Sequence, residues 1–122
     1  MCRILLSIHP QFANAIIDES KKFEFRKTKC RRHVDRILIY ATAPTGMIIG
    51  EVEVVDVLVG EPESIWEQTH GKAGITRKNF DEYYRGKDSA VAYKLGTVKR
   101  YSRPRPLSSV GVKSAPQSFV YL

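Results

Sequence analysis

The chain has 122 residues, of which 43% are apolar and 27% are charged, and its formal net charge is +7. These values are typical of one globular domain with a single core. No apolar run approaches the about 20 residues that a membrane-spanning helix needs, which excludes that class. The first ten residues are too short in their apolar part for a secretory signal and lack a small-residue cleavage site, so we expect a cytoplasmic protein.

The charged residues are segregated along the chain. Residues 37–71 contain no Lys or Arg, and their carboxylates are Glu51, Glu53, Asp56, Glu61, Glu63 and Glu67. Residues 94–122 contain no acid, and their cations are Lys94, Lys99, Arg100, Arg103, Arg105 and Lys113. A basic side on a small domain favours a polyanionic partner, with nucleic acid first. The acidic face from Glu51 to Glu67 is a candidate surface for docking a protein.

A strand and then a helix are predicted at the start of the chain. Arg3–Ile8 is a short apolar run that indicates a strand. Pro10 suits the first turn of a helix, where its missing N–H costs nothing. Apolar residues at helical spacing continue this helix to Glu19. Asp18 and Glu19 oppose the helix dipole at that end, which predicts that the helix stops there.

The stretch from Ser20 to Arg32 is the strongest functional signal, because seven of its thirteen residues are Lys or Arg. Phe23 and Phe25 occupy alternate positions, which is the period of a strand with one face buried and one face in water. The polar residues that alternate with them are Lys22, Glu24 and Arg26. Two cations beside a carboxylate on a rigid strand would hold an anion, or a planar group that needs donors and an acceptor. The alternative is an exposed strand whose ion pairs contribute little.

A hairpin is predicted in the middle of the chain. Val34–Thr42 and Met47–Val59 are rich in β-branched residues and read as two strands. Between them, residues 43–46 (Ala-Pro-Thr-Gly) place Pro and Gly in the order that a turn uses. Gly50 interrupts the second strand pattern, which predicts a bulge or bend of the kind that small barrels use at corners.

Two short helices are predicted after the hairpin. Pro62–Thr69 forms the first, with acids in its first turn. It contains Trp66, which we expect to be a core anchor rather than a base-stacking platform. Thr76 suits the N-cap of the second helix, and Gly86 is placed to end it.

The last third of the chain returns to strands. Ser89–Leu95 alternates and predicts one strand, and Val98–Tyr101 predicts another. Residues 103–106 (Arg-Pro-Arg-Pro) read as an extended basic connector, because a residue before Pro avoids the helical region. Pro106–Val110 is expected to form a helical turn. Gln117–Leu122 is predicted as a closing strand.

These elements predict an α+β fold over residues 1–122 as a single domain. Five to seven short strands are joined mostly by turns, and two or three short helices accompany them. The expected architecture is a mixed, mainly antiparallel sheet curled into a small β-barrel with flanking helices.

Metal and cofactor sites are not expected. Cys2 and Cys30 lack the spacing of metal ligands and read as free thiols. His9, His33 and His70 are scattered, so a zinc site is not predicted. The chain also contains neither a phosphate-binding loop nor a dinucleotide-binding glycine motif.

Several aromatic residues lie on predicted strands near cations. They are Tyr40, Tyr93 and Tyr101. Aromatic side chains between basic ones are typical of proteins that bind single-stranded nucleic acid, whose bases stack while cations hold the phosphates. Tyr83 and Tyr84 are expected to pack on their helix, with one ring exposed. His70, in a loop bounded by glycine, is either a general base, a stacking group or a surface residue.

The run Lys21-Lys22-Phe23-Glu24-Phe25-Arg26, after a helix that follows an N-terminal strand, resembles the signature of ASCH domains of the PUA-like superfamily. The pattern of that family is Gly-x-Lys-x-x-Glu-x-Arg. Lys21, Glu24 and Arg26 match it, and Glu19 stands where Gly is usual. The Ile-His-Pro start, the Gly-x-Ile-Ile-Gly-Glu-Val-Glu-Val strand and the closing Ala-Pro-Gln-Ser-Phe-Val-Tyr-Leu also resemble stand-alone prokaryotic ASCH proteins, so the resemblance covers nearly the whole chain.

The resemblance implies a PUA-like β-barrel with a cleft beside the signature strand, and a role in binding RNA that is sometimes linked to transcription or translation. Some relatives are amidohydrolases that deacetylate N4-acetylcytidine with a Lys, a Thr and a Glu. Lys21 matches the Lys, and Glu24 occupies the Thr position. Where the family has the Glu, this chain has residues 72–74 (Lys-Ala-Gly) and no acid. Another relative is a ribonuclease.

Two hypotheses of different classes follow. In the first, the chain is an RNA-binding or single-strand-binding module. Its cleft consists of Lys21, Lys22, Glu24 and Arg26, surrounded by Lys27, Lys29, Arg31 and Arg32 and extended by Lys99, Arg100, Arg103 and Arg105. In the second, it is an enzyme acting on a modified nucleoside or on RNA, with Lys21 as base or oxyanion partner and Glu24 orienting the polar edge of the base.

Overall fold

The computed structural model of the chain describes all 122 residues. The elements follow the chain in the order β1 (Arg3–Ile8), α1 (Pro10–Ile17), β2 (Phe23–Arg26), β3 (Arg36–Ala41), β4 (Met47–Gly60), α2 (Pro62–Thr69), α3 (Arg77–Tyr83), β5 (Ala90–Arg105) and β6 (Phe119–Tyr121). Short 3₁₀ turns occupy His70–Lys72 and Leu107–Val110. None of the helices has the length and apolar character that crossing a membrane requires.

All six strands belong to one sheet, in the order β2-β5-β4-β3-β1-β6. β1 and β3 are parallel, and every other pair of neighbours is antiparallel. β2 and β6 lie at opposite ends of this order. Arg26 of β2 nevertheless donates hydrogen bonds to the carbonyl oxygen of Ser7 on β1, over 3.1 Å, and to Oγ of Ser118, just before β6, over 3.5 Å. The sheet therefore curls into a half-barrel whose two edges approach each other, which confirms the predicted fold class.

Three apolar clusters hold the sheet and helices together. The largest lies between α1 and the concave face, and it includes Ile4, Ile16 and Tyr93. The second joins β2 to α2 and α3 through Phe25 and Phe80, whose ring centroids are 5.3 Å apart. The third covers the outer face of β1 and β3. Because β1 is buried on both faces, its sequence is a continuous apolar run rather than an alternation.

The predicted helices and hairpin are confirmed with small shifts of boundary. Thr76 caps α3, since its Oγ1 accepts a hydrogen bond from the backbone N–H of Asn79 over 3.1 Å. Trp66 packs against the second cluster. The strand ladder shifts register around Gly50, where a Cβ atom would lie 2.7 Å from the carbonyl oxygen of Lys99. The predicted bulge is therefore present, and it lets β5 approach β4 closely.

The prediction of two short strands and a connector between residues 89 and 106 is wrong. Ala90–Arg105 is one strand of 16 residues that pairs with β2 at its start and with β4 along its length. The 14-residue β4 offers an edge long enough to extend it. Pro104 is tolerated because it falls between the paired residues Arg100 and Arg105, where the ladder shifts register.

The prediction that the polar face of β2 lies in water is also wrong. Phe23 and Phe25 are buried as expected, but Glu24 is only 5% exposed. The end of β1 and the segment before β6 cover this face, since the side chain of Arg26 reaches Ser7 and Ser118. Both faces of β2 are therefore covered.

Candidate functional site

A cavity of about 300 Å³ lies at the seam of the half-barrel, where β2 faces the end of β1. Its walls come from the end of β1, from α1, from β2 and Lys21 two residues before it, from the start and end of the α3 region, and from the segment that precedes β6. Lys21, Glu24 and Arg26 all line it. We call this cavity the seam pocket.

The end of α1 fixes the position of Lys21. After Ile17 the chain turns back on the helix, and the backbone N–H of Lys21 donates to the carbonyl oxygen of Ala15 over 3.0 Å. The turn requires Glu19 to adopt φ of +68°, a left-handed conformation that favours glycine. This geometry explains physically why the ASCH pattern usually has Gly at that position.

The side chain of Lys21 is almost completely buried, with 3% of its surface exposed. Its Nζ donates to the carbonyl oxygen of Ala73 over 2.7 Å and lies 4.8 Å from the ring centroid of Phe25 and 5.4 Å from that of Phe12. Burial lowers the pKa of Lys21 to about 8, because the charged form loses its hydration. The carboxylate of Glu24 opposes this shift, and the nearby charge of Arg26 adds to it.

Glu24 and Arg26 form a partly buried ion pair that leaves one carboxylate oxygen free. Both Nε and Nη2 of Arg26 donate to the same oxygen, Oε2 of Glu24, over 2.9 and 2.7 Å. Oε1 has no hydrogen-bond partner within the chain. Arg26 is itself held by Ser7 and Ser118. The guanidinium therefore fixes the carboxylate and leaves Oε1 as an acceptor for a ligand.

The seam pocket thus combines a fixed acceptor, a buried cation and aromatic walls. Oε1 of Glu24 can accept from an N–H group, and the ammonium of Lys21 has donors beyond the one that Ala73 uses. Phe12, Phe25 and Tyr83 supply ring surfaces. This set suits a planar heterocycle with an N–H donor beside a carbonyl or ring-nitrogen acceptor.

Four residues with polar side chains line the seam pocket and were not among the predicted site residues. They are Ser7, His9, Tyr83 and Gln117. Tyr83 was expected to serve helix packing only, and burial raises its pKa above the usual value. Gln117 is exposed, and its neighbours are anchored, because Ser7 donates from Oγ to the carbonyl oxygen of Pro116 over 2.7 Å. The Ala-Pro-Gln-Ser run in the resemblance was the available sequence signal for Gln117.

Other predicted site residues lie outside the seam pocket. Lys22 precedes β2, pairs with Glu19 over 3.1 Å and lines a different depression. Lys27, Lys29, Arg31 and Arg32 are exposed on the loop after β2. Nζ of Lys27 lies 4.8 Å from the ring centroid of Tyr83, a residue that lines the seam pocket.

The basic segment at the end of β5 is not brought to the seam pocket. Lys99, Arg100 and Arg105 pair with residues 48–51 at the start of β4, whereas β2 pairs with residues 91–94 of β5. The guanidinium carbon of Arg105 stacks 3.9 Å from the ring centroid of Tyr101. Arg103 is exposed on the same stretch. These cations form a separate surface, so the structure does not support their predicted role as an extension of the cleft.

No group of three or more His, Cys, Asp or Glu side chains is arranged to hold a metal ion. Cys2 and Cys30 are free thiols, and Cys30 is buried. His70 is exposed beside Trp66, with ring centroids 6.1 Å apart, and does not line the seam pocket. Within the acidic stretch, Glu51 accepts hydrogen bonds from Tyr101 over 2.7 Å and from Arg36 over 3.4 Å.

Comparison with known proteins identifies the matching family. The ASCH domain model matches residues 6–101. An ASCH domain-containing ribonuclease of Zymomonas mobilis is 27% identical over 97% of this chain and 82% of its own length. Two proteins of Ureaplasma parvum also match 98% of the chain: the large ribosomal subunit protein uL22, at 34% identity, and ATP synthase subunit alpha, at 28%. The chain spans only 39% and 15% of the lengths of those two proteins.

Two solved structures resemble this fold, one of them closely. The crystal structure of ASCH from Zymomonas mobilis superimposes with a TM-score of 0.90 at 27% identity, covering 98% of this chain and 87% of that one. The N-terminal domain of Staphylothermus marinus McrB gives a TM-score of 0.54 at 13% identity, over 88% of this chain and 78% of that one. The second likeness concerns the fold alone.

Proposed function

The chain belongs to the ASCH domain family, and from this premise we propose that it binds RNA with one unpaired base in the seam pocket. The ASCH domain-containing ribonuclease of Zymomonas mobilis supports an RNA ligand, since it matches nearly the whole chain. The excess of basic residues, 20 against 13 acidic ones, supports a polyanionic partner.

One observation carries the proposal: a free carboxylate oxygen and a buried ammonium share a pocket with aromatic walls. Oε1 of Glu24 would accept from an exocyclic amine or ring N–H of the base, and Nζ of Lys21 would donate to a ring carbonyl or nitrogen. A base in a duplex offers these groups to its partner strand, so the pocket favours a base that is unpaired.

The proposal is tested by titrating the protein with one labelled RNA sequence, as a single strand and as a duplex, over a series of salt concentrations. We expect the single strand to bind more tightly. Its affinity should fall with salt, because about 0.7 counterions are released for each phosphate contact. Absence of binding, or equal binding of duplex and single strand at every salt concentration, would rule the proposal out.

We propose further that the protein acts in translation or transcription. The match to a ribosomal subunit protein supports translation. We propose that the protein acts in the cytoplasm and needs no cofactor. Docking of a protein partner on the acidic face from Glu51 to Glu67 stays a prediction. Sedimentation of the protein with ribosomes from cell extract, before and after RNase treatment, tests the link to translation.

RNA cleavage is the second candidate function. The relative named as a ribonuclease supports it, as does the pKa of Lys21. With a pKa of about 8, part of the Lys21 population is neutral near neutral pH and can accept a proton from an attacking hydroxyl group. Cleavage of a labelled RNA by the wild type but not by Lys21→Ala would establish it. Equal products from both would show that Lys21 is not the base.

Deacetylation of N4-acetylcytidine has weaker support. The resemblance places a catalytic Glu where this chain has residues 72–74, and the group that meets Lys21 there is the carbonyl oxygen of Ala73. A carbonyl oxygen orients the ammonium but does not take a proton from it, as a carboxylate can. We expect no release of acetate from N4-acetylcytidine, measured against a reaction without protein.

A further inference from the structure

Two further cavities lie beside the seam pocket, along the loop after β2. A cavity of about 160 Å³ shares Arg26 and Tyr83 with the seam pocket. A third, of about 450 Å³, shares Cys30 and Tyr93 with the second. The second cavity therefore adjoins both the seam pocket and the third cavity, whose lining extends to His33.

The loop beside these cavities carries cations with no carboxylate partner. Lys27, Lys29, Arg31 and Arg32 are exposed, and none of them forms an ion pair. One carboxylate, Asp56, also lines the third cavity, and its Oδ1 accepts from the backbone N–H of Val57. The cations outnumber this carboxylate, so the electrostatic potential beside these cavities is positive.

Tyrosine side chains hold this loop in place. The backbone N–H of Cys30 donates to Oη of Tyr93 over 2.9 Å, and the backbone N–H of Arg32 donates to Oη of Tyr121 over 3.3 Å. The guanidinium carbon of Arg32 lies 4.3 Å from the ring centroid of Tyr121. The cations are thus presented from a backbone fixed in advance, which lowers the entropy cost of binding an anion.

We propose that the three cavities form one groove that binds the sugar–phosphate backbone of single-stranded RNA leading away from the seam pocket, with a phosphate subsite beside Lys29 and Arg31. This inference rests on the proposed function and adds the path that the RNA strand takes away from the seam pocket. The cations Lys99–Arg105 take no part, since they pair with the start of β4.

The dimensions of the loop limit the length of RNA in contact. The six residue steps from Arg26 to Arg32 span at most about 20 Å. That length corresponds to the lower end of the about 4–16 nucleotides that a small single-strand-binding domain covers. We therefore expect affinity to rise with oligonucleotide length up to about four nucleotides and then to level off.

The experiment compares two double variants that each remove one Lys and one Arg from an exposed surface. Lys29→Ala/Arg31→Ala alters the groove, and Lys99→Ala/Arg103→Ala is the matched control. The probes are a labelled single-stranded oligouridylate series of increasing length. For the groove variant, loss of two phosphate contacts should make the salt slope shallower by about 1.4 and lower the affinity about 25-fold at 0.1 M salt. The control should bind as the wild type does.

The outcomes separate this inference from the function on which it rests. If the wild type binds no single-stranded RNA, the proposed function fails and the groove fails with it. If the wild type binds but the two double variants lose affinity equally, or the control loses more, the groove is overturned while RNA binding stands. Affinity that keeps rising well beyond about four nucleotides would likewise overturn the groove.

Discussion

Gly74 lies directly against the side chain of Lys21. A Cβ atom on Gly74 would lie 2.5 Å from Cβ and 2.6 Å from Cγ of Lys21, and Gly74 has a φ of +65°. The preceding carbonyl, that of Ala73, accepts the hydrogen bond from Nζ of Lys21. The loop before α3 therefore sets both ends of this side chain: glycine leaves room for its stem, and the carbonyl holds its ammonium.

Substituting Gly74 by Ala should displace Lys21. The φ strain alone costs about 1–2 kcal/mol of stability, and the clash moves the ammonium from its place in the seam pocket. Gly86→Ala is the control, since Gly86 has φ of +72° with nothing within 4 Å of its Cβ position. We expect both variants to lose the strain energy in urea unfolding, with a larger loss for Gly74→Ala because of its clash, and only Gly74→Ala to lose RNA affinity, by about tenfold or more. Unchanged binding in Gly74→Ala would mean that Lys21 does not contact the ligand.

The titration of Lys21 should appear in the stability of the fold. The pKa of Lys21 is lowered from 10.5 to about 8, so between these values the unfolded chain keeps a proton that the folded chain has released. Stability then rises with pH over this interval. We expect the wild type to gain about 2 kcal/mol relative to Lys21→Met between pH 8 and 10. Urea unfolding of both proteins at each pH measures the difference. A difference that stays constant with pH would show that the ammonium is not desolvated.

Glu19→Gly should stabilise the fold. Glu19 has φ of +68°, which glycine adopts without strain, so the substitution should add about 0.5–1 kcal/mol to the free energy of unfolding. The ion pair with Lys22 is exposed and its loss costs little. Asp18→Gly is the control. Asp18 has an ordinary φ of −83°, and its Oδ1 accepts from the backbone N–H of Ser20, so this variant should lose stability. If Glu19→Gly and Asp18→Gly both destabilise the protein, the left-handed conformation of Glu19 is not a source of strain.

Gln117 should contribute to recognition without contributing to stability. It lines the seam pocket from a segment that lies beyond residues 6–101, the part that the family model matches. Gln117→Ala removes one neutral hydrogen bond to a ligand, so RNA affinity should fall about five-fold with no change in the unfolding temperature. Gln68→Ala, on the exposed face of α2, is the matched control. An affinity equal to that of the control would exclude Gln117 from the contact.

Local pattern was enough to predict most of the fold. Pro62 and Thr76 mark helix starts through chemistry that acts within a few residues, and Gly50 marks a bulge for the same reason. The length of β5 was missed, because it depends on the long edge that β4 supplies. Arg103–Arg105 has the pattern of a connector and becomes a strand only when that edge is beside it.

The site was predictable only where its residues are neighbours in sequence. Lys21, Glu24 and Arg26 fall within one short motif, and the structure brings all three into the seam pocket. Gln117 reaches the same pocket through pairing of β6 with β1, which no local pattern encodes. The positive charge of Lys99–Arg105 was visible in the sequence. Charge alone, however, does not predict whether these residues lie near the seam pocket or beside the start of β4.

The most direct test of the account compares RNA binding by Lys21→Met and Lys22→Met. The two residues are adjacent and each substitution removes one positive charge, but only Lys21 lines the seam pocket. If Lys21 donates to an unpaired base, Lys21→Met should lose about tenfold to 100-fold in affinity for single-stranded RNA, whereas Lys22→Met should stay within about two-fold of the wild type. Equal losses in the two variants, with both proteins folded, would contradict the central claim.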